Sequence, residues 1–223
     1  LRTTFFGGGM DDIAKTLGAL ATSTLANALD RVDCPNQTLV NLKPVKPGMR
    51  FCGPACTVRE ESGPYGTFAS EDFRVGAMID AANPGEVIVV AAEGVPYSTW
   101  GGMASLAAAH KGIAGIAVDG GARDADETAA AGFNVFTRHL VPTTGRHRLR
   151  VAETGGTVIV DGVLISNGDW IVADDTGILA IPAGVLDEVI TMAEMFTLED
   201  RKAEDAIKGG LSFSDAMKKF GNI

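Results

Sequence analysis

The chain has 223 residues, and 19 Lys and Arg against 28 Asp and Glu give a formal net charge of −9. Hydrophobic residues make up 46% and charged residues 21%, enough for a sizeable core and too apolar for disorder. So acidic a chain is a poor ligand for nucleic acid or an anionic membrane through bulk electrostatics, and no window of about 18 apolar residues predicts a transmembrane helix. Glycine is abundant, 28 of 223 against a usual share of about 7%, which points to tight turns and close backbone approach. The length suits one large domain or two small ones.

The N-terminal LRTTFFGGGMDDIAK lacks a long apolar stretch and is not read as a signal peptide. Residues 11–32 read as two helical pieces, with Ser23 and Thr24 as candidate caps for the second. The three cysteines, Cys34, Cys52 and Cys56, are odd in number, and Cys52 and Cys56 lack the further ligands of a zinc site. Reduced thiols and a cytoplasmic location are expected. Residues 36–60, broken by Pro44, Pro47, Gly48, Gly53 and Pro54, suggest strands and turns, and residues 61–76 a loop with a helical turn. Glu86 to Ala92 (EVIVVAA) and Ile113 to Val118 (IAGIAV) are buried-strand runs. Between them Thr99 to Lys111 predicts a helix that Gly112 stops. Ala125 to Ala131 predicts another helix and Phe133 to Thr137 a strand. Such alternation is a βαβ unit with parallel pairing. Beyond Val141, Thr157–Val160, Val163–Ile165, Trp170–Ala173 and Ile178–Ile181 are short strands with hairpin turns between them, and Val185 to Lys208 and Ser212 to Phe220 are helical.

In a parallel sheet ligands bind beyond the carboxyl ends of the strands, here at Glu93 to Gly102 and at Asp119 to Asp124. Gly101 and Gly102 open a helix whose bare amides suit a carboxylate or phosphate, although glycines there also serve close packing. Arg123-Asp124 follows the second strand. Asp124 can hold a hard divalent cation and Arg123 can grip a carboxylate or an oxyanion, or the two can merely cap the next helix. His110, His139 and His147 lack metal-ligand spacing. Arg146, His147, Arg148 and Arg150 form a short basic cluster, either a solvated strand edge or an intersubunit contact. Tyr97 and Trp100 either wall a site or pack in the core. No GxSxG, P-loop or GxGxxG follows a strand, so a serine hydrolase, an NTPase and a Rossmann dehydrogenase are poorly supported.

Asn83-Pro84-Gly85-Glu86-Val87-Ile88-Val89-Val90, Trp100-Gly101-Gly102 and Gly112 through Arg123-Asp124 together resemble the RraA-like family, with further similarity at Ser23–Leu29 and from Asn167 to Pro182. That family includes 4-hydroxy-4-methyl-2-oxoglutarate/4-carboxy-4-hydroxy-2-oxoadipate aldolases and the regulator of ribonuclease activity A. The resemblance implies one α/β domain over 1–223, a β/β/α swivelling-type fold with a parallel βαβ core and an antiparallel meander. Its core would span about 22–182 and its helical tail about 184–223. It implies a homotrimer or homohexamer with the site between subunits, and a divalent cofactor, Mg²⁺ or Mn²⁺, on Asp124. Arg123 would contact the 2-oxo group of a small 2-oxo-acid substrate, and the amides of Gly101, Gly102, Met103 and Ala104 would bind its pyruvate end. The reaction implied is cleavage of a 4-hydroxy-2-oxo acid to pyruvate, with oxaloacetate decarboxylation as a side activity. The alternative is a non-catalytic regulator of the ribonuclease-regulator type. One departure stands out. The aldolases carry an Asp separated by 20 residues from the Arg-Asp pair, and that position here is Gly102. Glu93, Asp119, or Glu199 or Glu204 of a neighbouring chain are candidate substitutes for its charge.

Overall fold

The computed structural model describes residues 9–220, so most of the N-terminal segment LRTTFFGGG lies outside the described residues. The fold is mixed α/β, a nearly closed mixed sheet with helices on its outside. Helices α1 (Met10–Gly18) and α2 (Thr22–Arg31) lead into β1 (Lys43–Pro44) and a long β2 (Phe51–Ser62). After α3 (Val75–Ala81) come β3 (Val87–Ala91), β4 (Ser98–Trp100), α4 (Gly102–Lys111), β5 (Gly115–Ala122), α5 (Ala125–Ala130) and β6 (Val135–Leu140). Then β7 (Leu149–Thr154), β8 (Thr157–Val160), β9 (Val163–Ser166), β10 (Trp170–Asp174) and β11 (Gly177–Ile181) precede α6 (Leu186–Lys208) and α7 (Phe213–Lys219).

The predicted βαβ unit is present: β2, β3, β5 and β6 run parallel in neighbouring positions, and the main sheet is ordered β1-β6-β5-β3-β2-β10-β11. The residues of β3 and β5 are all buried, as their unbroken apolar runs require. The four strands predicted after Val141 form two antiparallel hairpins. One joins the main sheet through β10 on β2, and β8–β9 stands as a separate two-stranded ribbon. Strand β2 changes neighbours along its length, and Pro54, which has no N–H to donate, falls one residue before the pairing with β3 begins at Ala55.

Three apolar clusters result. One lies between the sheet and the β8–β9 ribbon, one under α3 and α4, and one where α1, α2 and α6 cover β10 and β11. Helix α2 starts at Thr22, so Ser23 and Thr24 lie inside it rather than capping it. The cap is long-range: Asp174 of β10 accepts from Thr22 N (3.0 Å) and Thr22 Oγ1 (2.7 Å), which satisfies a first-turn amide that has no partner within the helix. Ser98–Trp100, of which Thr99 and Trp100 were predicted as the start of a helix, form β4 alongside β5. All three cysteines are free, and burial pushes the Cys52 thiol up to about 12.

Glu60 of β2 is 1% exposed. Its Oε1 accepts from Thr99 Oγ1 at 2.7 Å, while Oε2 has no partner among the described residues. Burial raises this carboxyl to about 7, against the pull of the Thr99 hydrogen bond. A carboxyl raised on folding binds its proton more tightly in the folded chain, so stability falls as pH rises from the unfolded value of 4.5 to about 7. Glu60→Gln keeps the size and removes the charge. It is expected to gain up to about 3 kcal/mol over the parent at pH 8 and much less at pH 5, read by urea unfolding. An equal difference at both pH values would show that ionisation of Glu60 is not its cause.

Candidate functional site

The loops that follow β3 and β5 meet on one side of the sheet. Strand β4 pairs with the end of β5, Arg123 N donates to Trp100 O at 2.9 Å, and Gly121 N donates to Tyr97 O at 3.0 Å. Gly121 is required by that approach, since a Cβ there would sit 2.6 Å from Tyr97 O. Behind the turns, Trp100 Nε1 donates to Ser105 Oγ (3.0 Å), the Ser105 hydroxyl donates to Gly101 O (3.0 Å), and it lies 3.1 Å from Thr128 Oγ1. These buried contacts lock the start of α4 to α5. In front of them is a cavity of about 370 Å³, a size suited to a small metabolite. Its lining includes Ser98 to Ala104, Arg123 and Asp124, so the residues predicted as the site converge on one hollow. The first helical amide bonded to backbone is Ser105 N, on Gly101 O at 3.0 Å. The amides of Met103 and Ala104 therefore lack an intrahelical partner at the positive end of the helix.

Asp124 is not a conventional cap. It occupies the N-cap position of α5 with φ 57° and ψ 47°, in the left-handed region, and its side chain makes no capping hydrogen bond to α5. A capping Asp has extended backbone and turns its carboxylate onto its own helix. Here Oδ2 accepts from Gly102 N at 3.3 Å and lies 3.4 Å from Arg123 Nε. The left-handed backbone, a strain that Asp tolerates better than most residues, aims the carboxylate at the start of α4. Gly101 makes the approach possible, because a Cβ there would lie 2.6 Å from Asp124 Oδ2 and 3.2 Å from Arg123 Cγ.

Two residues at or beside the cavity were not assigned to the site in the sequence. Arg146 lines the cavity from the β6–β7 connection, its Nη1 donating to Ser70 Oγ at 2.5 Å and its guanidinium lying 5.8 Å from the Phe73 ring centre. Arg146 is exposed, as the solvated strand-edge reading expects, and the Ser70 bond and the Phe73 ring also set it at the rim of the hollow. Glu127 of α5 is the other: its carboxylate fills the place that a side chain at position 102 would take, with Oε2 in contact with that space and Cβ 2.6 Å from it. Its only advance signal is the three-residue spacing from Asp124. The apolar wall, Phe73, Val75 and Ile79, comes from α3 and its approach; residues 61–76 were expected as a loop with a helical turn, and the rest of α3 carried no expectation.

Trp100 touches the cavity but is 1% exposed and stacks on Phe133, so packing dominates its role. Tyr97 is outside the lining and faces the Arg148 guanidinium at 5.3 Å. Asp119 is tied to Arg138 and to Asp161 N, and Glu93 accepts from Ser62 N and Oγ. Neither lines the cavity, so neither makes good the missing charge at Gly102. Glu204 pairs with Lys208 within α6, and Glu199 also lies on α6, outside the cavity lining.

The chain matches the RraA-like family, described as Aldolase/RraA, over residues 22–180. Protein DlpA of Legionella pneumophila is 27% identical over 216 residues, which cover 95% of this chain and 34% of DlpA, so the chain spans about a third of that relative. A Halalkalibacterium halodurans protein provisionally named 4-hydroxy-4-methyl-2-oxoglutarate aldolase is 29% identical over 197 residues, 88% of this chain and 89% of its own. Among solved structures, Streptomyces coelicolor RraAS2, described as an unusual member of the RNase ES inhibitor RraA protein family, superposes with a TM-score of 0.75 at 25% identity. It covers 87% of this chain and 96% of RraAS2. Since the family match takes in both turns of the cavity and most of the sheet, the chain belongs to the RraA-like family.

Proposed function

We propose that the chain is a divalent-metal-dependent carbon–carbon lyase of the class II pyruvate aldolase type, which cleaves a 4-hydroxy-2-oxo acid to pyruvate. The observation that carries this reading is Asp124, turned away from its own helix and set beside Arg123 at the amide end of α4. The aldolase name of the H. halodurans relative supports it. The residues fit a hard cation. Mg²⁺ or Mn²⁺ uses one or two carboxylates and keeps its waters. Among the described residues no three His, Cys, Asp or Glu side chains converge in a cage of the zinc type. Asp124 would hold the ion, which supplies Lewis-acid polarisation of the 2-oxo group when bound.

The chain's own groups do the rest. The amides of Gly101, Gly102, Met103 and Ala104 receive the substrate carboxylate at the positive end of α4. Proton loss from the 4-hydroxyl starts cleavage. Water is the acceptor of that proton in this reading. The C3–C4 bond then breaks, its electron pair moves into C2–C3, and the hydroxyl carbon departs as a carbonyl. Arg123 stabilises the negative charge that grows on the C2 oxygen, an interaction stronger in the transition state than in the ground state. Protonation at C3 completes pyruvate. Oxaloacetate loses CO₂ by the same electron flow. Arg146, whose guanidinium lies over the Phe73 ring, stands ready for a distal carboxylate beside the apolar wall of Phe73, Val75 and Ile79.

Exposed apolar residues on α4 (Met103 and Leu106) and in the tail (Leu198, Phe213, Met217) support assembly with further copies of the chain, as a trimer or hexamer. A second reading, a non-catalytic regulator of the ribonuclease-regulator type, draws support from the likeness to RraAS2.

Pyruvate formation from 4-hydroxy-4-methyl-2-oxoglutarate and from oxaloacetate separates the two readings. The lyase is expected to need Mg²⁺ or Mn²⁺ and to stop with EDTA. Arg123→Ala and Asp124→Ala should each lower kcat/KM by about a hundredfold or more. Full turnover in both variants would remove these residues from the reaction, and no turnover by the parent with either metal would favour the regulator. Arg146→Ala is expected to raise KM about tenfold for substrates with a distal carboxylate, leaving kcat within about twofold. A loss confined to kcat would place Arg146 in the chemistry instead.

A further inference from the structure

A buried carboxyl stands directly behind the wall of the cavity. We infer that Glu60 of β2 is the final acceptor of the proton that the 4-hydroxyl releases, and that the Thr99 hydroxyl carries this proton through the wall. The inference rests on the lyase reading above and extends it to a residue that touches no substrate and acts through Thr99.

Three observations support it. First, Glu60 and the cavity are one hydrogen bond apart: Thr99 of β4 lines the hollow, and its Oγ1 donates to Glu60 Oε1 at 2.7 Å. Glu60 follows Cys56 and Val58 at a spacing of two along β2, so it faces the apolar layer under α3 and α4, and buried Val151 of β7 lies opposite it. Second, Glu60 is 1% exposed, and its Oε2 has no partner among the described residues. A buried carboxyl oxygen without a donor destabilises the fold, and an apolar side chain of similar size would fill the place without that cost. Costly ionisable groups of this kind gather at functional sites. Third, the carboxyl is tuned for proton exchange near neutrality. Burial raises it to about 7, against the pull of the Thr99 hydrogen bond. A group that moves protons works best when it titrates near the working pH. The charged groups of the surrounding elements have partners of their own. Arg59 of β2 pairs with Glu61 and Glu153, Arg150 of β7 pairs with Glu61, and Glu93 after β3 accepts from Ser62. Arg74, on the approach to α3, donates to Val151 O. On the cavity side Arg123 pairs with Asp124, and Arg146 donates to Ser70.

In the step, water takes the 4-hydroxyl proton and passes one to Thr99 Oγ1, while the proton already on Thr99 crosses to Glu60 Oε1. The electron pair of the broken O–H bond becomes the π bond of the departing carbonyl as C3–C4 opens. Glu60 turns from carboxylate to neutral acid, and it returns the proton to solvent along the same path before the next turnover.

The test follows pyruvate release by the full chain with Mg²⁺, from about pH 5.5 to about pH 9, on 4-hydroxy-4-methyl-2-oxoglutarate and on oxaloacetate. Thermal melting controls for folding. Parent kcat/KM on the hydroxy acid is expected to rise with pH and level off above about 7, because the acceptor must be ionised. Glu60→Gln should abolish that rise and lower the rate at about pH 8 roughly a hundredfold. Oxaloacetate has no hydroxyl proton to give up, so its decarboxylation should fall by less than about threefold. Thr99→Val should match Glu60→Gln, and Thr99→Ser, which keeps the hydroxyl, should stay within about fivefold of the parent. Infrared difference spectra of the metal-free chain supply a second readout: a carboxyl band absent from Glu60→Gln should titrate near about 7. A band already ionised at about pH 5 overturns the inference. So does the parent's rate and pH profile in Glu60→Gln, or an equal loss on both substrates, and all three leave the lyase reading standing. No pyruvate from the hydroxy acid by the parent chain, with Mg²⁺ or Mn²⁺, overturns both. Should Glu60→Gln fail to fold, Thr99→Val against Thr99→Ser decides: a pH rise lost only in Thr99→Val supports the inference, and the same profile in both overturns it.

Discussion

The structure depends on how closely two turns can approach one another. The β4–α4 turn and the β5–α5 turn meet without side chains on one partner, because Gly101 and Gly102 yield their Cβ positions to Asp124, Arg123 and Glu127. A side chain at Gly101 would collide with Asp124 and Arg123, and one at Gly102 with Glu127. The backbone bond from Arg123 N to Trp100 O fixes the spacing, and the Ser105 hydroxyl, shared with Trp100 and Thr128, fixes the angle. A helix end with free amides, a carboxylate and a guanidinium are thereby held at one place. This is the ordering of a site in advance of its ligand that catalysis rewards.

Much of this was legible in the sequence, and the parts that were share a cause. EVIVVAA and IAGIAV are apolar without alternation, which in a short run means a strand buried on both faces, and both are. The rule that ligands sit beyond the carboxyl ends of such strands then brought the two loops together. The β8–β9 hairpin announced itself through Asp161-Gly162 and the β10–β11 hairpin through Asp174-Asp175-Thr176-Gly177, while Asn167-Gly168 marks the turn between the two hairpins. Arg123 and Asp124 could be named because they follow a strand directly.

What escaped was set by contacts distant in sequence. Helix α3, VGAMIDA, is too short and too apolar all round to show a helical stripe, and it is helical because it packs on α4. Residues 98–100 carry no strand signal of their own and become β4 by pairing with β5. The cap of α2 comes from Asp174, 152 residues away, and no local pattern announces it. Arg146 looked like one more charge in a basic run until the Phe73 ring and Ser70 placed it at the rim of the cavity. Glu127 was hidden differently: its spacing from Asp124 suggests a helix cap, and only the empty volume at Gly102 shows where the carboxylate goes.

Strand β2 pairs with β10 through its first residues, with β3 from Ala55 to Arg59, and with β7 from Val58 to Ser62. One ribbon is therefore seam to the helical tail layer, to the parallel core and to the segment that leads back from Arg146. Detaching any of these would remove hydrogen bonds from the same twelve residues. The tail layer and the parallel core are thereby joined through a single backbone.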